Sequence, residues 1–170
     1  MSDLKKLSPA AIPAALAKAE RYRLLNEPEQ AESICEDVLA IDPSNGDAQV
    51  SLVLALSDQL AAAHDTGPVL ARAQEQARAL ASPYQRAYCL GLVAERRARA
   101  VLARGGAGAH GHAGEWLREA MQYFSEAEGV RPADDDAAIL RWNACARLIA
   151  RYPALLESPA AERVEPVTSE

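Results

Sequence analysis

Ala31 to Pro43 reads AESICEDVLAIDP, and Ala120 to Pro132 reads AMQYFSEAEGVRP. In each stretch an alanine is followed four residues on by Cys35 or Phe124, and three further on by Val38 or Ala127. An apolar residue, Ile41 or Val130, then stands directly before an X-Pro stop, Asp42-Pro43 or Arg131-Pro132. A spacing of four then three puts the first three positions on one helical stripe. Proline ends the helix because it lacks an N–H and restricts the residue before it. Each stretch is therefore half of a helical hairpin, and the device is used more than once.

The rest of the composition agrees with close-packed helices. Alanine makes up about a fifth of the chain, against one Phe and two Trp. It is the best helix former and lets neighbouring helices approach closely. At 170 residues the chain is long enough for one sizeable core or one short repeat array. A net charge of −6 argues against nucleic acid as the main partner, because that binding needs a clustered cationic face. Cys35, Cys89 and Cys145 are scattered, with no CxxC pair, and read as buried thiols in a reducing compartment. Ser8, Pro9 and Pro13 interrupt any apolar run near the N-terminus, and no stretch is long and apolar enough for a membrane span. The expectation is a cytoplasmic protein without a membrane or nucleic-acid partner.

Taken in order, residues 1–8 read as a flexible leader and residues 9–152 as one helical domain. A first helix runs from Pro9 to Leu25 and a second from Pro28 to Ala40, with so short a break at Asn26-Glu27 that the two lie antiparallel. Ser44 or Asn45 caps a third helix reaching Ala63. The turn His64-Asp65-Thr66-Gly67-Pro68 leads to a fourth helix, Val69 to Ala81, with Ala73, Ala77 and Leu80 on its stripe. A fifth helix, Tyr84 to Arg104, carries Arg96, Arg97, Arg99 and Arg104 toward its C-terminal end, where the helix dipole favours cations. Gly105 to Gly114, GGAGAHGHAG, reads as a mobile loop before a sixth helix, Glu115 to Gly129. Asp134 to Asp136 introduce a seventh helix, 135–151, with Ile139, Trp142, Ala146 and Ile149 facing inward and Trp142 as its buried anchor. Residues 153–170 read as a disordered, acidic, proline-containing tail.

Three hairpins and a lone seventh helix, with small residues on the stripes and prolines at the ends, resemble the tetratricopeptide repeat. The resemblance rests on Ala19, Tyr22, Ala31, Cys35, Val38 and Pro43, then on Ala48, Leu52 and Leu56, on Leu90-Gly91, and on Ala120, Phe124, Ala127 and Pro132. It covers about residues 10–150, as repeats near 10–43, 44–82 and 83–132 with a capping helix at 135–151. Ala15, Gln49 and Ala87 stand where the family has a bulky residue, and the spacing from Ala31 to Ala73 to Ala120 exceeds the family's period. The resemblance implies an all-α fold of antiparallel hairpins stacked as a short right-handed solenoid of about seven helices. It also implies a concave groove lined by the first helix of each hairpin. That register selects Leu16, Glu20 and Arg23, then Val50, Leu54 and Asp58, then Tyr88, Leu92, Glu95 and Arg96. Leu16 and Glu20 replace the Lys and Asn with which some members of the family hold a C-terminal carboxylate.

Catalytic signals are lacking. The sequence has no nucleophile elbow, P-loop or dinucleotide fingerprint, and no Glu-x-x-His pair. His110 and His112 have no third ligand in reach, and His64 sits where a helix C-terminus favours it. The expected function is a non-catalytic protein–protein interaction module, without cofactor or metal, whose partly apolar groove takes a partner helix or peptide. The alternatives are a metal- or small-molecule-responsive protein using the His110/His112 loop and a structural homo-oligomer using the groove on itself.

Overall fold

A computed structural model describes residues 4–157, and among them the chain is all helical, with no strand. Its helices are α1 (Ile12–Leu24), α2 (Pro28–Ile41), α3 (Gly46–Gln59), α4 (Gly67–Ala79), α5 (Pro83–Arg104), α6 (Ala109–Gly129) and α7 (Ala137–Arg151). Short 3-10 turns, Pro9–Ala11 and Pro153–Leu156, flank them.

The start and stop signals act as their chemistry requires. The Asn45 side chain accepts a hydrogen bond from the Ala48 N–H at 3.0 Å, and Ser82 accepts from the Gln85 N–H at 3.3 Å, each satisfying an orphan donor of a first turn. The chain leaves α1 through Asn26 at φ 60°, a left-handed conformation that asparagine tolerates. The two repeated stretches pack as their spacing demands: Ala31, Cys35 and Val38 on α2 and Ala120, Phe124 and Ala127 on α6 are all fully buried.

Each helix packs on the next in sequence, and α1 also touches α3, as α3 touches α5. The longest shared interface joins α5 to α6. There Gly91 lies so close to the Phe124 ring that a Cβ would stand 2.5 Å from its Cε1. Two further contacts close helix ends. Arg104 donates to the carbonyls of Leu60 at 2.8 Å and Ala63 at 3.0 Å, and Arg86 donates to the Leu80 carbonyl at 3.0 Å. Arg104 thus satisfies carbonyls beyond the end of α3 as well as lying where its own helix dipole favours it.

Three expectations are corrected. The run from Gly105 to Gly114 is not one mobile loop, because α6 begins at Ala109 and contains its second half. Gly105, Gly106 and Gly108 take positive φ and make the turn. Gly114 instead serves close packing: it is buried, as Gly111 is, and a Cβ on it would stand 1.8 Å from the Leu155 carbonyl oxygen. That contact produces the second correction. Pro153–Leu156, placed by the sequence in the tail, folds back on α6 and α7 with Leu155 fully buried. The rest of the expected tail, 158–170, and residues 1–3 of the leader lie outside the described residues.

Third, Trp142 is not the buried anchor of α7. It remains 36 % exposed, whereas Ala138 and Cys145 are fully buried. Small side chains let α7 approach α6 closely, so the inward stripe is Ala138, Cys145 and Leu148, with Ile149 beside it and Trp142 turned to the rim.

Candidate partner-binding groove

The expected lining divides into two groups. Leu16, Glu20 and Arg23 of α1 meet Val50 and Leu54 of α3 around an open hollow of about 510 Å³, together with Asp47, Ser51 and Gln85. A second hollow of about 500 Å³ begins at the same Gln85 and continues past Tyr84 to Val130, Pro132 and Asp135. The trough therefore runs from α1 across α3 to the start of α5 and the α6–α7 connection. Asp47, Gln85 and Tyr84 were missing from the sequence reading. Each lies one turn N-terminal of an assigned position, three residues before Val50 and three and four before Tyr88, so carrying the same stripes one turn further would have found them.

Asp58, Tyr88, Leu92, Glu95 and Arg96 stand apart from these hollows. Tyr88 is half-buried between two rings, stacked on Tyr84 and tilted against Phe124 at 5.9 Å in both cases. Leu92 and Glu95 are buried, only 3 % and 1 % exposed. They are therefore closed to a partner in this conformation, and α5 contributes to the trough through Tyr84 and Gln85.

The charged members form a chain of ion pairs across the odd-numbered helices. Arg23 of α1 meets Asp58 of α3 at 2.8 Å, and Arg96 of α5 meets the other oxygen of Asp58 at 3.0 Å. Arg96 also donates to the Leu54 carbonyl at 3.1 Å and to the Ser57 hydroxyl. Burial pushes the Arg96 guanidinium down from its ordinary value, and the Asp58 carboxylate opposes the shift. On the far side of α5, the buried Glu95 receives Arg99 at 2.9 Å and Arg141 of α7 at 3.5 Å. Glu95 thereby ties α7 to α5 through a side chain that no helical stripe could have assigned.

At the other end of the trough the Tyr84 hydroxyl donates to Asp135 at 2.7 Å, and the Ala137 N–H donates to the same carboxyl at 2.9 Å. These bonds, the tyrosine's first, hold the Asp135 carboxyl below the usual carboxylate range, while burial and then the same bond push the Tyr84 phenol up. A carboxyl whose folded value is lowered contributes stability that is present above its unfolded value of about 3.9 and lost as the pH falls through the folded one. Melting temperatures taken from pH 6 to pH 3 should therefore fall less in Asp135→Asn than in the wild type. Parallel curves would mean that the Tyr84–Asp135 bond does not contribute to stability.

The thiols and histidines offer little chemistry. Burial pushes Cys35 up to about 11 and Cys89 and Cys145 up to about 12, so all three are protonated and enclosed at neutral pH. His110 and His112 are exposed on the first turns of α6, with His112 Nδ1 3.6 Å from Glu115. Among the described residues no three His, Cys, Asp or Glu side chains gather where a metal ion could be held. No described helix is long and apolar enough to cross a membrane. The chain matches no protein-family model, and comparison with curated proteins and with solved structures finds no match.

Proposed function

We propose that this chain is a non-catalytic protein–protein interaction module of tetratricopeptide-like architecture, in which stacked hairpins present the trough to a helix or peptide of a partner. The observation that carries the reading is the convergence of Leu16, Val50 and Leu54 from two hairpins on one open hollow of about 510 Å³. A half-exposed apolar floor supported by a rigid helical frame suits an amphipathic segment, which buries its own apolar face there. The contacts of α1 with α3 and of α3 with α5 favour a stacked array, since successive first helices adjoin in such a design. The accessible residues on this reading are Leu16, Glu20, Val50, Leu54 and Gln85.

The test is capture of partners by wild type, Leu16→Glu and Leu54→Glu, with melting temperatures measured in parallel. Leu92→Glu is unsuitable, because a charge at a buried position would unfold the helix packing it was meant to spare. Both variants should keep the helical signal and lose the partner by at least about tenfold, the equivalent of roughly 1.4 kcal/mol. Partners retained by both folded variants would sink the proposal.

A further inference from the structure

The charge on the walls of the trough selects a kind of partner. Among the described residues the first hollow is lined by two carboxylates, Glu20 of α1 and Asp47 of α3, and by one cation, Arg23. The charged residue lining the second hollow is Asp135. Three negative charges thus face one positive, and that positive charge is already engaged. Asp58 holds Arg23 at 2.8 Å, and Arg96 takes the other oxygen of Asp58 at 3.0 Å. The charges of Asp58 and Arg96, which stand behind the hollow, cancel, so the lining keeps its negative surplus. Glu20 and Asp47 are exposed and pair with no cation among the described residues. The Tyr84 hydroxyl and the Ala137 N–H each occupy one oxygen of Asp135. A carboxylate accepts about four hydrogen bonds, so Asp135 keeps acceptor sites to spare. Arg131, whose field reaches Asp135, pairs with Asp136 at 3.1 Å.

Resting on the groove reading above, we infer that the occupant is a basic amphipathic segment of another protein. Its apolar side chains lie on the half-buried Leu16, Val50 and Leu54, and its Lys and Arg side chains lie against Glu20, Asp47 and Asp135. Long cationic side chains suit this lining, because their stems cover apolar surface while the charged head reaches a carboxylate at the wall. Such pairs set specificity and association rate more than raw affinity. The same charge disfavours two other occupants. Residues 158–170 of this chain carry three glutamates against one arginine, and a second copy brings a net charge of −6 to a lining that is already negative.

Two fluorescent helical peptides with one leucine stripe, flanked by lysines or by glutamates, provide the probe for the 170-residue chain. The lysine peptide should bind about tenfold tighter than the glutamate peptide at low salt. The preference should shrink as ionic strength rises from about 0.01 M to 0.15 M and the screening length falls from roughly 30 to 8 Å. Glu20→Gln/Asp47→Asn should remove most of it. Glu29→Gln/Glu75→Gln, the same loss of charge from exposed positions on α2 and α4, should retain it. Leu16→Gln keeps the charge layout and should weaken both peptides alike. Equal binding of the two by wild type, still weakened by Leu16→Gln, overturns the basic partner while leaving the groove standing. Binding that Leu16→Gln does not touch overturns both. A preference that survives Glu20→Gln/Asp47→Asn, or falls equally in Glu29→Gln/Glu75→Gln, belongs to the net charge of the chain and overturns the inference, as does no binding of either peptide. Self-association that the lysine peptide disperses, seen by light scattering over a concentration series, makes the occupant a second copy and overturns it. An affinity raised about tenfold by removing residues 158–170 makes the occupant this chain's own segment and overturns it as well.

Discussion

Phe124→Ala should destabilise the fold by about 3–5 kcal/mol, the cost of truncating a fully enclosed aromatic side chain. That is a large part of the roughly 5–15 kcal/mol by which a domain of this kind is held together. The ring is the largest fully buried side chain, and it sits in the longest helix interface of the molecule. Its ring edge lies against Gly91, where a Cβ would stand 2.5 Å from Cε1 and 2.7 Å from Cδ1, and its face is tilted against Tyr88. Gly91→Ala should consequently overpack the same site at a cost of about 1–3 kcal/mol. Because both substitutions act on one contact, they should not add: Gly91→Ala in a Phe124→Leu background should cost markedly less than in the wild type. Denaturant unfolding of the four proteins with a common slope measures the cycle. Additive losses would show that Gly91 and Phe124 do not share an interface.

Helix positions and most buried faces were legible from the sequence, because proline, Asn45 and Ser82 act locally and because Ala31, Cys35, Val38 and Ala120, Phe124, Ala127 repeat one stripe. Reading glycine needed more than local chemistry. Gly108 and Gly114 look alike in GGAGAHGHAG, yet one supplies a positive φ and the other makes room for the Leu155 carbonyl, a neighbour 41 residues away in sequence. The face of α7 failed for a related reason. Hydrophobicity favoured Trp142 as the inward residue, whereas the distance of approach to α6 favours Ala138 and Cys145. For the groove, the stripe on α1 and α3 located the hollow, but the same stripe on α5 led to Leu92 and Glu95, which the packed structure covers. Periodicity on one helix carries no information about which of its turns another helix will cover.

Removing Arg99 and Arg141 together should cost about 3–5 kcal/mol, the penalty for leaving a buried charge without its partners. Glu95 is 1 % exposed, and the two guanidinium groups are its only hydrogen-bond partners among the described residues. Either arginine alone leaves the carboxylate one cation, so each single Ala variant should lose less than half of the double variant's loss. Both arginines are about half exposed, so the single variants forfeit little packing, and the excess in the double variant reports the stranded charge. The control is Glu95→Leu placed in the Arg99→Ala/Arg141→Ala background. An apolar side chain of similar size fills the site without desolvating a charge, and replacing a buried ionic group in this way is often neutral or stabilising. The triple variant should therefore recover most of the lost stability although it carries more substitutions. If it is no more stable than the double variant, the loss comes from the arginine side chains themselves. Glu95 would then not be the tie between α5 and α7.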